Sequence, residues 1–214
     1  MKRRWIGIVF FIWAVFPALY GQASFSFGAK AGISLANQSY RFTPIDYTVE
    51  TKVVAGPVLS LFVETFRKDH FSFQVDISYA LKGSRSGIQS VTVNHLDNDR
   101  IIVNEGEMTR STFSYLSLAP MARYRMGQGS LHPYFLLGPR LDMLLFYKSD
   151  SAYPLSRQNG SIIGLSCGTG LEFSPERLGL FTELQYQLDL SPVTNEDPLL
   201  INNDMISLTL GIRW

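Results

Sequence analysis

The segment 204–214 alternates without a break, with Ile206, Leu208, Leu210, Ile212 and Trp214 on one parity and Ser207, Thr209, Gly211 and Arg213 on the other. A β-strand sends successive side chains to opposite faces, so this pattern makes one wholly apolar face that ends in an indole. In water such a face must be covered by further chain, and nothing follows Trp214 in the sequence. In a bilayer, lipid covers it, and an aromatic ring at headgroup depth is stabilised there. The solvent expected for this strand is therefore a membrane.

Seven further alternating runs lie upstream, at about 25–36, 52–66, 71–82, 111–126, 131–146, 161–173 and 178–190. The clearest places Phe71, Phe73, Val75, Ile77, Tyr79 and Leu81 opposite Ser72, Gln74, Asp76, Ser78, Ala80 and Lys82. No helix-period segment separates these runs, so the expected fold is all-β. Connections alternate in length. Segments 67–70, 127–130 and 174–177 are four-residue turns, whereas 37–51, 83–110, 147–160 and 191–203 are long and polar. That parity matches an eight-stranded antiparallel up-and-down transmembrane β-barrel, with short periplasmic turns on one side and long loops on the other. Phe25, Phe27, Phe71, Tyr124, Phe135, Phe173 and Trp214 gather at the short-turn ends, and Tyr79, Phe113, Tyr115, Phe146 and Tyr147 at the opposite rim. They are read as two interfacial belts.

Segment 1–23 reads as a signal peptide. Lys2, Arg3 and Arg4 precede a fifteen-residue apolar run at 5–19, and Gly21 and Ala23 offer cleavage after either residue. Fifteen residues fall short of a spanning helix. The remainder, 24–214, is expected to form one barrel domain in the bacterial outer membrane. Its net charge of +1 offers no basic footprint for nucleic acid. The lone Cys167 sits on an apolar parity and reads as a small lipid-facing or packed residue.

A soluble eight-stranded barrel would show the same period with its apolar face inward, so the polar face decides. In 161–173 it reads Gly164, Ser166, Gly168, Gly170 and Glu172. Glycine on a solvated strand face makes no cross-strand contact, whereas the crowded lumen of an eight-stranded barrel needs small residues. Twelve charges share the polar parity: Lys30, Glu64, Asp76, Lys82, Arg123, Arg125, Arg140, Asp142, Glu172, Glu183, Asp189 and Arg213. Ions in a narrow lumen must be paired, so an interior charge network is expected, plugging the barrel rather than lining a channel. Seven of the twelve can be matched as opposite-sign neighbours across strands. Pro57, Pro120 and Pro139 interrupt three strands on the lipid-facing parity, where local bulges would accommodate their missing N–H groups.

The chain resembles the PorT-like outer-membrane β-barrel proteins of Bacteroidetes. The resemblance is carried by Phe27-Gly28-Ala29-Lys30-Ala31-Gly32-Ile33-Ser34, Ser78-Tyr79-Ala80-Leu81-Lys82-Gly83, Tyr115-Leu116 with Pro120 and Tyr124, and Pro133-Tyr134 leading to Gly138-Pro139. It spans nearly all of Phe25 to Trp214 and implies the barrel fold and the outer membrane. Through the family's namesake it also implies a link to protein secretion.

Catalysis is not expected. His70 and His132 adjoin short turns, and His95 lies in Asn94-His95-Leu96-Asp97-Asn98-Asp99-Arg100 of the longest connection. A His with nearby Asp is the raw material of a general base, and Asp97 with Asp99 of a calcium site. Ser84, Ser86 and Ser90 are nearby only in sequence, and the glycine and distal glutamate of an EF-hand loop are missing. No cofactor or metal is expected. Expected partners are outer-membrane lipid, the barrel-assembly machinery and, through the external loops, envelope or secretion proteins. A lipid-modifying barrel enzyme is the less favoured alternative. On pattern alone, Trp214 is the terminus on which insertion depends, and Trp214→Asp should impair insertion more than Arg213→Asp. Heat-modifiable gel mobility checks this, and equal insertion of the two variants would count against it.

Overall fold

The computed structural model describes residues 25–42, 47–49, 51–68, 70–94, 100–127, 129–150, 158–174, 178–196 and 199–214. The leader, and His95, Asp97 and Asp99, lie outside the described residues.

The apolar/polar alternation resolves into ten strands: β1 (Ser26–Phe42), β2 (Tyr47–Val49), β3 (Lys52–Lys68), β4 (Phe71–Asn94), β5 (Arg100–Arg125), β6 (Leu131–Ser149), β7 (Ser161–Phe173), β8 (Gly179–Asp189), β9 (Asn195–Glu196) and β10 (Leu199–Arg213). Eight are barrel staves, in the order β1-β3-β4-β5-β6-β7-β8-β10, all antiparallel, and β10 pairs back to β1 to close the cylinder. The closing seam runs from Gly28 opposite Arg213 to Phe42 opposite Leu199, and Phe27 and Trp214 exchange backbone hydrogen bonds beyond it. Closure leaves no unpaired edge within the bilayer, which hydrocarbon demands of any spanning sheet.

Parity sets the two surfaces. Ile33, Leu61, Ile77, Leu137, Ile163, Leu184 and Leu210 face outward, and Leu210 remains 69% exposed. Lys82, Asp142, Glu172 and Glu64 face inward at 0%. Cys167 is on the outer surface. The short-turn belt is present as expected, with Phe25, Phe27, Phe71, Tyr124, Phe135, Phe173 and Trp214 all exposed. The opposite belt needs correction. Phe113 and Tyr115 point into the lumen, packed with Ile162, Val193 and Ile201, and Tyr147 packs against Phe113 with ring centroids 4.7 Å apart. Both residues share the odd parity of Arg123 and Arg125, so they belong to the inner face of β5.

Strands also run further outward than the apolar stretches suggest. β1 continues to Phe42, β10 begins at Leu199, and β4 and β5 pair with each other up to Asn94 opposite Arg100. Much of 83–110 is thus the outward hairpin extension that its Val91-Thr92-Val93 and Ile101-Ile102-Val103 runs suggest. Such runs favour extended backbone, and each strand supplies the other's hydrogen bonds without a bilayer.

The prolines are accommodated in two ways. At Pro57 the β3–β4 register shifts between Val53 and Val58, the expected bulge. Pro120 and Pro139 need none. The β5–β6 ladder passes from Leu118 opposite Leu141 to Ala122 opposite Leu137 with its register unchanged, so the two prolines stand opposite each other and share one interruption. Gly138 permits that close approach, because a Cβ there would lie 2.1 Å from the Pro120 carbonyl oxygen and 2.7 Å from Met121 Cα. Gly138→Ala should therefore destabilise the barrel by about 1–3 kcal/mol. Gly160→Ala, with nothing within 4 Å of its Cβ, should stay within about 0.5 kcal/mol. Urea unfolding in lipid vesicles measures both, and equal stabilities would show that β5 and β6 are not in backbone contact at Pro120.

Candidate functional site

All twelve inward charges are ion-paired, and they sort into three tiers along the barrel axis. Near the short turns, Glu64 of β3 and Glu172 of β7 are each approached by Arg123 and Arg125 of β5 and by Arg213 of β10. Arg125 Nη2 lies 3.2 Å from Glu64 Oε1, Arg123 Nη1 lies 3.4 Å from Glu64 Oε2, and Arg123 and Arg213 both donate to Glu172. Arg213 also donates to Ser174 Oγ at 3.2 Å.

In the middle tier Lys30 Nζ bridges Asp76, at 2.6 Å, and Glu183. Neutral donors add to the same carboxylates: Tyr134 OH and Gln185 Nε2 on Glu183 at 2.9 and 2.8 Å, and Gln74 Nε2 on Asp76 at 2.7 Å. Arg123 ties the lower tiers together. It donates to Gln74 Oε1 at 3.2 Å, and its guanidinium carbon sits 3.8 Å from the Tyr134 ring centroid. On the long-loop side, Lys82 of β4 contacts Asp142 of β6 at 2.7 Å and Asp189 of β8 at 3.1 Å, and Arg140 contacts the same two aspartates. Asn203 donates to Asp189 and Gln38 donates to Asn203, carrying the network to the external mouth.

By tier the described ions count three cations to two carboxylates, one to two, and two to two, so the inner six cations and six carboxylates balance as a set. All eight staves contribute at least one ion. Apolar side chains also fill the lumen beside the ions. Phe62, Ala119, Met121, Tyr134, Leu136 and Phe181 form one buried cluster. Glycines on neighbouring strands leave room for the largest side chains. A Cβ at Gly170 would meet the Tyr134 ring at 2.3 Å, one at Gly164 would meet Arg140 Nη2 at 2.6 Å, and one at Gly211 would meet Phe181 at 2.2 Å.

Sequence pairing anticipated the ions but missed the neutral bridging groups Gln38, Gln74, Tyr134, Gln185 and Asn203. Their signal was parity, since Gln74 and Gln185 alternate in step with Asp76 and Glu183. Of the described histidines, His70 Nδ1 lies 3.1 Å from the Arg125 carbonyl oxygen at the rim, and His132 is half-buried beside the lower tier. Among the described residues, no three His, Cys, Asp or Glu side chains come together as a metal site.

A family model of the outer membrane protein beta-barrel domain matches residues 17–195. The chain belongs to that family. Its fold matches Neisserial surface protein A at a TM-score of 0.52 and 16% identity, with 90% of this chain and 98% of that one covered. OprG from Pseudomonas aeruginosa aligns at a TM-score of 0.48 and 11% identity, over 91% of this chain and 98% of that one. No curated protein matches the sequence. The protein is a small eight-stranded barrel of the bacterial outer membrane, and in this family's frame the short turns face the periplasm.

Arg213 now has a defined environment, which changes its expected cost. Arg213→Asp would bring a third carboxylate to Glu64 and Glu172, so Arg213→Gln is the fair comparator for Trp214→Asp. Lys82→Met should be severe as well, because it leaves Asp142 and Asp189 to share Arg140 alone. Breaking one side of a buried pair costs about 3–5 kcal/mol. Urea unfolding should show that loss, and a change under about 1 kcal/mol would mean that water reaches the tier.

Proposed function

We propose that this barrel is a structural and interaction component of the outer membrane, non-conducting and non-enzymatic, which presents the β4–β5 hairpin as its contact surface. The observation that carries the reading is the filled lumen. Three ion-paired tiers with an aromatic cluster beside them occupy the interior, and an eight-stranded cylinder is only wide enough for side chains. Beyond Lys52 opposite Arg85 and Ser111 opposite Ser149, β4 and β5 continue paired to each other. A braced cylinder supporting a projecting hairpin suits holding a partner better than passing a solute.

The PorT-like resemblance supports a finer version, in which the partner is a protein of the envelope or of a secretion machine. In this reading segment 1–23 is removed after Gly21 or Ala23 and the barrel-assembly machinery folds the rest into lipid. Deleting 88–106 with a short turn in its place should preserve heat-modifiable mobility and abolish recovery of an envelope complex by affinity isolation from outer membranes. Loss of folding would count against the hairpin as a separate surface, and an altered lipid A mass in a deletion strain would favour an enzyme. Reconstituted protein should leave planar bilayers at baseline conductance, and steady single-channel steps would refute the plug.

A further inference from the structure

At the periplasmic end the interior cluster carries more donors than its carboxylates can accept. Arg67, at the exposed end of β3, lies within electrostatic range of Arg213, Arg125, Arg123, Glu64 and Glu172. Four guanidiniums offer about twenty N–H donors, and two carboxylates offer about eight lone pairs. The surplus shows in the bonding. The Nε atoms of Arg123, Arg125 and Arg213, and Nδ1 of His132 opposite Glu172 in register, are buried without a hydrogen-bond partner. Access rises stepwise toward the mouth: the Arg123 side chain is 1% exposed, Arg213 6%, Arg125 13%, and Arg67 lies at the surface. Among the described residues of this end, Arg67, Lys68, Arg123, Arg125 and Arg213 stand against Glu64 and Glu172.

We propose that this mouth binds a phosphate-type oxyanion, gripped by Arg67 and Arg125 with Arg213 behind them. Planar guanidinium forks match phosphate oxygens in pairs, and the partly desolvated mouth strengthens the attraction. The anion has two sources on the periplasmic side, dissolved phosphate and the phosphodiester of a phospholipid headgroup, and both share this chemistry.

The test uses the full folded chain in two arms. In neutral detergent, inorganic phosphate is titrated calorimetrically at constant ionic strength against chloride. In bilayers, binding of spin-labelled phosphatidylglycerol is compared with that of phosphatidylcholine. Saturable binding of free phosphate over chloride identifies a dissolved anion, and selectivity for phosphatidylglycerol without a phosphate response identifies the headgroup. Arg67→Gln should weaken the positive arm about tenfold, the scale of one lost charged hydrogen bond. Arg67→Lys, which keeps the charge and the fold, should weaken it less. Lys52→Gln, on the exposed opposite rim, should leave it unchanged. No selectivity in either arm, or equal binding by Arg67→Gln, overturns the site.

Discussion

Glu64 and Glu172 face one another across the periplasmic end of the lumen, and three guanidiniums close on them. A carboxylate held there has little bulk water to solvate it, and an unpaired ion in that position would cost several kcal/mol. The same constraint acts on Lys30 between Asp76 and Glu183, and on Lys82 and Arg140 between Asp142 and Asp189. Apart from Arg140 with Asp142 on β6, the pairs join different strands, so the network is complete only when the cylinder is closed in the correct register. A one-residue slip of one stave would turn that strand's ions outward into lipid and leave their partners unpaired. The ion tiers therefore brace the staves against one another, and much of the structure follows from satisfying them.

Narrowness is the second condition, and it sets which uncharged residues stand beside the ions. Tyr134 reaches Glu183 by lying over Gly170, and Arg140 reaches its aspartates by lying over Gly164. The glycines that looked like gaps in the polar face are the spaces into which long side chains of the next strand fold. Their position next to large interior groups also explains why the lumen is filled rather than open, and why the reading as an interaction barrel rests on its interior as much as on its exposed hairpin.

Much of this was legible without coordinates. Period-two alternation, the short-and-long sequence of connections and the sparse, balanced charges of the polar parity placed all eight staves and all twelve inward ions. Two features depart from the local pattern for identifiable reasons. Aromatics near a rim are usually interfacial, yet the parity of Phe113 and Tyr115 with Arg123 sets them inside. Pro120 and Pro139 looked like two separate insults to the sheet, and they share one interruption because the β5–β6 register sets them opposite each other.

The sequence by itself determined the solvent and the architecture. Alternation and loop parity are local properties, and each strand reports which of its faces meets lipid regardless of its neighbours. Only the tertiary structure decided the partnerships: that Arg213 joins Glu172 and Glu64, and that Gln74 links two tiers. Those depend on the stagger between strands distant in sequence. Shifts and bulges such as those at Val53/Val58 and Ser114/Tyr115 set that stagger through backbone hydrogen bonding that no single strand encodes.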